Sequence, residues 1–168
     1  MLARGLMIAA VIGVALVVLQ VPLGMLAFAA MGGSEAVTQA AQTYFAIRMW
    51  SAPLALANYV VLGWMIGQAR AGLALAVQIV INLVNMAATL TLVLGVGMGV
   101  AGAAVAAVIA EFVGLAVGLA IARRLLGGRL GVPRAMLFDR AKLVRMMAVN
   151  RDIMLRTAAL VGAFMFFT

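Results

Sequence analysis

Of the four acidic residues in this chain, Glu35, Asp139 and Asp152 lie in or beside polar stretches, whereas Glu111 stands midway along an apolar run over 100–122. A charge at such a place costs a few kcal/mol even on lenient membrane-insertion scales, and residues that bear one usually face a protein interior and mark ion or proton pathways. A carboxyl group there can take up and release a proton as its surroundings change. The plainer alternative is a neutral, hydrogen-bonded Glu packed against a neighbouring helix. A second polar group is extended along the sequence. Gln78, Asn82, Asn85 and Thr89 follow one another at i, i+4, i+7 and i+11, on one helical face. That stripe is unfavourable against lipid, so it is expected to meet other helices or a wet cavity. Interhelical amide hydrogen bonds, each worth on the order of 1 kcal/mol, would account for it equally well. Asn58, near mid-depth of another apolar run, completes a set of six candidate cavity residues: Asn58, Gln78, Asn82, Asn85, Thr89 and Glu111. Arg48, read as one turn inside the same run, is expected to snorkel to the outer headgroups, with Trp50 beside it as an interfacial residue and Trp64 near the inner interface.

Other chemistry finds few residues to carry it. The chain has no Cys and no His, which removes thiolate metal sites, disulfides and the commonest general base. No metal site or bound cofactor is expected. No carboxylates are paired at short spacing, and no nucleophile has a candidate base. Gly95-Val96-Gly97-Met98-Gly99 lacks the strand and helix context of a phosphate-binding loop. The reading is therefore not an enzyme.

The elements that must position these residues are membrane helices. With 68% hydrophobic and 10% charged residues and a mean hydropathy of +1.25, the chain lies far from soluble composition, in which apolar residues are roughly half. At about 20 apolar residues per crossing, four spans are expected, at about 6–30, 44–67, 73–94 and 100–122. Gln20 and Pro22 predict a kink in the first, and Pro53 lies inside the second. The spacings Gly63/Gly67 and Gly114/Gly118 suit close helix packing. Before residue 123 only Arg4, Arg48 and Arg70 are basic; every other Lys and Arg falls between Arg123 and Arg156. With the N-terminus cytoplasmic, all of them except Arg48 are on the inner side, as the positive-inside rule requires. The net charge of +8 thus points to anionic headgroups and away from nucleic acid. Residues 123–152 read as a basic cytoplasmic segment, with a surface helix over 134–148, and 153–168 as the opening of a fifth span.

Several strings, taken in order, resemble one known family. Tyr44-Phe-Ala-Ile-Arg48, Ser51-Ala-Pro53, Leu62-Gly-Trp64, Asn82-Leu-Val-Asn85, Gly99-Val-Ala-Gly-Ala-Ala104 with Ala110-Glu111, and Asn150-Arg-Asp-Ile-Met-Leu-Arg156 are similar to the multidrug and toxic compound extrusion (MATE) transporters, and most to the branch named after DNA-damage-inducible protein F. The resemblance implies an all-α integral membrane protein of two six-helix lobes joined by a cytoplasmic linker. The four complete spans here would be helices three to six of the first lobe, 123–152 the interlobe linker, and 153–168 part of helix seven, so that the chain is most of one lobe cut just after the joint. It implies efflux of small organic, often cationic, compounds across the inner or plasma membrane, driven by protons or sodium. In the family the fifth helix presents an Asn and, one turn later, an Asp to the cavity; Asn85 matches the first, and Thr89 stands at the second. That leaves Glu111 as the membrane-embedded acid. Two other readings remain open at this point: a small membrane scaffold or regulatory subunit that packs on a partner through Gly/Ala faces, and a lipid-linked precursor flippase of the same superfamily. Oligomeric state, substrate and coupling ion are not written in the sequence.

Overall fold

The computed structural model describes residues 2–30 and 34–127. The basic stretch from 128 onward, the surface helix expected at 134–148 and the apolar segment from Ile153 lie outside the described residues. Those described are helical, with no strand among them. Two helices are long and apolar enough to cross a bilayer singly, Ala71–Gly95 and Gly99–Leu125, and two bent pairs would each cross as one unit, giving up to four spans. The outer surface is hydrocarbon: Val14, Leu26, Ile66, Leu75 and Phe112 are all exposed, as suits a lipid-facing shell. This is a multi-pass, all-α membrane protein.

Both expected prolines act, in different ways. The first span is α1 (Leu2–Val18) and α2 (Gln20–Ala30), bent by 61°. Pro22 has no N–H to offer the carbonyl four residues back, and its ring crowds that carbonyl, so the helix bends just ahead of it. The second span differs more from expectation. The run read as 44–67 is α3 (Glu35–Met49) and α4 (Ala52–Gly67), joined at Trp50-Ser51 with a bend of 59°. Pro53 sits in the first turn of α4, where a missing N–H costs nothing. Residues 35–43 are too polar to register as a span, yet Glu35 opens a helix there, with Ser34 at its N-cap position.

The third expected span is α5 (Ala71–Thr89), which widens into a π-helical turn over Leu90–Gly95. Thr91 Oγ1 donates back to the carbonyls of Ala87 and Ala88, both at 3.0 Å, competing with the normal ladder. The chain then reverses through Gly97 and Gly99, whose φ values of 77° and 55° suit residues without a Cβ. The fourth is α6 (Gly99–Leu125), with Arg123 and Arg124 in its last turn. There they complement the negative end of the helix dipole, so the basic stretch begins inside the helix.

α6 is the spine of the bundle and packs against α3, α4 and α5; α1 lies along α4, and α2 touches α3. Its buried face is entirely small: Gly102, Ala104, Ala106, Ala107, Ala110, Gly114, Gly118 and Ala122. Val61 and Met65 of α4 and Val77 and Ile81 of α5 fill the grooves that this face leaves. Lipid tails are as apolar as Leu, so helices here gain from close approach rather than from leaving water. Of the two glycine pairs singled out above, Gly114/Gly118 meets the side chains of Ile81 and Val61, whereas nothing lies near Gly63 or Gly67.

Between α1 and α4 a glycine meets backbone: a Cβ on Gly13 would stand 2.4 Å from the Cα of Pro53. Backbone cannot yield as a side chain does. Gly13→Ala is expected to destabilise the protein by about 1–3 kcal/mol, while Gly63→Ala, with open space around it, leaves stability unchanged or raises it by up to about 1 kcal/mol through helix propensity. Thermal unfolding of the two variants in the same detergent checks the contrast.

Candidate functional site

Three helices converge on Glu111. α6 places it midway between Gly99 and Leu125, with 14% of its side chain exposed. Arg48, in the last turn of α3, donates from Nη2 to Glu111 Oε1 at 3.0 Å. Asn58, in the second turn of α4 and 2% exposed, donates from Nδ2 to Glu111 Oε2 at 2.7 Å and to the Glu111 backbone carbonyl at 2.8 Å. Ser51, in the joint between α3 and α4, accepts from Arg48 Nη1 and donates its own hydroxyl to the Arg48 carbonyl at 2.9 Å. Each carboxylate oxygen thus has its own donor, and the donors stand on opposite sides of the α3/α4 joint.

The Asn58 amide is oriented by these contacts. A backbone carbonyl can only accept, so the NH₂ group must face Glu111. Its Oδ1 is buried without a hydrogen-bond partner, and a Cβ on Gly114 would be 3.5 Å from it. Gly114 is needed for Ile81 of α5, whose Cγ1 would lie 2.3 Å from a Cβ there, while the amide would stand at ordinary contact distance.

Arg48 does not snorkel as expected. A span starting at Tyr44 places Arg48 one turn from the surface, but α3 begins at Glu35 and Arg48 falls near the middle of the α3/α4 pair. A guanidinium that far from headgroups gains more from an internal carboxylate, and Glu111 is within reach. The signal was present in the sequence: one Arg away from the basic side and one Glu in mid-span are natural partners in a medium of low dielectric. Trp50, expected at an interface, lies at the joint instead and is largely exposed.

The six candidates separate into two groups. Asn58 and Glu111 meet. The α5 stripe does not join them: the face of α5 that turns to the bundle carries Ala74, Val77 and Ile81, and the stripe is about a quarter-turn away around the helix. Gln78 donates to Asn82 at 3.3 Å, and Thr89 makes a long contact of 3.5 Å with Asn85. Asn82 is exposed, and Gln78, Asn85 and Thr89 are half-buried. Among the described residues no other helix covers this stripe with polar partners.

Sequence reading also missed a groove of about 570 Å³ between α2 and α3. Gln20 and Gln42 are its polar lining, and Phe28, Phe45 and Trp50 give it aromatic walls; Phe28 and Phe45 meet edge to face, with centroids 5.5 Å apart. The bend at Pro22 opens this space, and an apolar pattern alone does not reveal it. No group of His, Cys, Asp and Glu able to hold a metal ion occurs among the described residues.

Comparison with known proteins gives one informative match. The chain is 40% identical over 161 residues to DNA damage-inducible protein F of Escherichia coli, a MATE-family transporter; the match covers 95% of this chain and 35% of that protein. The chain thus spans about a third of the length of the relative it matches. No protein-family model matches, and no solved structure does.

Breaking the ion pair from one side leaves a charge in a medium that cannot solvate it. Arg48→Gln alone is therefore expected to destabilise the protein more than the double substitution Arg48→Gln/Glu111→Gln does. Thermal melts of the two singles and the double should give a coupling energy of roughly 1–3 kcal/mol. A coupling near zero would mean that the pair is solvated and independent.

Proposed function

On the premise that this chain is a relative, along nearly all its length, of a MATE-family transporter of the DNA damage-inducible protein F type, we propose that its helices form part of the first lobe of an efflux antiporter. The complete transporter would export small organic, often cationic, compounds across the inner membrane in exchange for protons or sodium. Glu111 is the coupling group in this reading, Asn58 positions its carboxylate, and Arg48 is its counter-ion. The observation that carries the assignment is the convergence of α3, α4 and α6 on one carboxylate at mid-span. Thr89, at the position where the family commonly has an acid, contributes a hydroxyl and no charge.

The stripe on α5 supports the same reading. Its amides have donors and acceptors left over, and a helix face of that kind is favourable only against water or another polar surface. Helices beyond the described residues, enclosing a wet cavity against α5, would supply both. A lipid-linked precursor flippase is less well supported: its anionic substrate would call for free positive charge, and Arg48 is neutralised by Glu111. A scaffold role needs no ion pair at mid-span at all.

In the full-length transporter that contains these residues, Glu111→Gln is expected to abolish pH-driven efflux of a fluorescent organic cation from inside-out vesicles, at unchanged protein level. Gln keeps the shape and can still accept from Asn58, so loss of transport isolates the loss of charge. Wild-type efflux in this variant returns Glu111 to a structural role.

A further inference from the structure

The two donors around Glu111 differ in how they depend on its charge. Arg48 is held by electrostatic attraction, which a proton on the carboxyl removes. Asn58 is held at two points, and one of them is the Glu111 backbone carbonyl at 2.8 Å, which has no charge to lose. Arg48 belongs to α3 and Asn58 to α4, so neutralising Glu111 detaches one side of the α3/α4 joint and leaves the other in place.

Two independent features bear on what α3 does when released. No residue of α3 is buried, whereas α4 buries Asn58, Val61 and Met65 against its neighbours. α3 meets α6 along its length as α4 does, but it buries no side chain there, so the ion pair is the polar tie that fixes it to α6. Beside it lies the groove of about 570 Å³ against α2, so it has space to move into. The joint itself is part of the same contact, since Ser51 exchanges hydrogen bonds with Arg48. From the other elements packed around the site no competing charge arrives: α5 carries none, α4 presents neutral Asn58, and the joint presents the Ser51 hydroxyl.

We propose that Arg48–Glu111 is a proton-released clasp, and that Trp50-Ser51 is the hinge it governs. Uptake of a proton by Glu111 frees Arg48, and α3 swings about the joint against a fixed α4/α6 pair, reshaping the groove it shares with α2. This rests on the reading of Glu111 as the group that takes up the coupling proton. It adds the moving part: a two-state helix whose equilibrium the proton biases.

The natural absence of Cys allows spin labels to be placed without background. Two double-cysteine chains in nanodiscs separate a hinge from general loosening: Thr43→Cys/Ala116→Cys measures α3 against α6, and Ile66→Cys/Ala116→Cys measures α4 against α6. At about pH 8, well above the ordinary Glu range, each pair should give one narrow spin–spin distance distribution. Adding Glu111→Gln should give the first pair a second population several ångström away and leave the second pair unchanged. Lowering the otherwise native chains to about pH 3.5, below the ordinary Glu value, should do the same, and covers the case in which the variant fails to fold. Two unchanged pairs would overturn the hinge, as would equal broadening in both, which marks loosening of the whole bundle. A static α3 in a transporter whose efflux still requires Glu111 would sink the hinge and leave the coupling reading intact.

Discussion

An ionised carboxylate deep in an apolar helix has no water to turn to, and the free energy of leaving it uncompensated exceeds what any single packing contact in this bundle supplies. Glu111 sets the arrangement of the helices around it for that reason. α3 must approach close enough to deliver a guanidinium, α4 must present an amide to the second oxygen, and α6 must be slim enough at that level for both to reach. The small residues at Ala110, Gly114 and Gly118 meet the last condition. A bulky side chain at Gly114 would strike Ile81 and crowd the Asn58 amide together, so packing and polar satisfaction fail at the same point.

The bent helices follow from the same requirement. A straight continuation of α3 into α4 would offer the residues of one stripe to α6, and Arg48 and Asn58 are ten positions apart, which in a regular helix puts them about 15 Å apart along the axis. Breaking the helix at Trp50-Ser51 brings both to one carboxylate from different directions. Pro53 makes that break inexpensive, since it starts a helix as readily as it interrupts one. It also presents its flat backbone to Gly13, which is how α1 comes to lie along α4.

Much of this was legible in the sequence. The all-helical class, the two unbroken spans and the kink near Pro22 follow from apolar run lengths and proline chemistry, which are local. Glu111 and Asn58 stood out because polar atoms in hydrocarbon need a reason. What escaped notice depended on geometry between elements. Arg48 was misplaced because polar residues 35–43 hid the start of its helix, so its depth was misjudged and its partner with it. The α5 stripe was correctly grouped on one face, but periodicity fixes only which residues share a face and not the direction in which it turns. The groove between α2 and α3 lies beside two bent helices, and neither bend angle is written in a run of apolar residues.

Two polar systems therefore coexist in these helices under opposite conditions. Around Glu111 both carboxylate oxygens have donors, and the buried side-chain atom left without a partner among the described residues is Asn58 Oδ1. Along α5 the reverse holds, with amides bonding weakly to one another and retaining capacity. A closed network resists change until its charge changes, whereas an open one adapts to whatever polar surface it meets. The two stand on different faces of adjacent helices and meet only through the packing of Ile81 against Gly114, so they share a steric contact and no hydrogen bond.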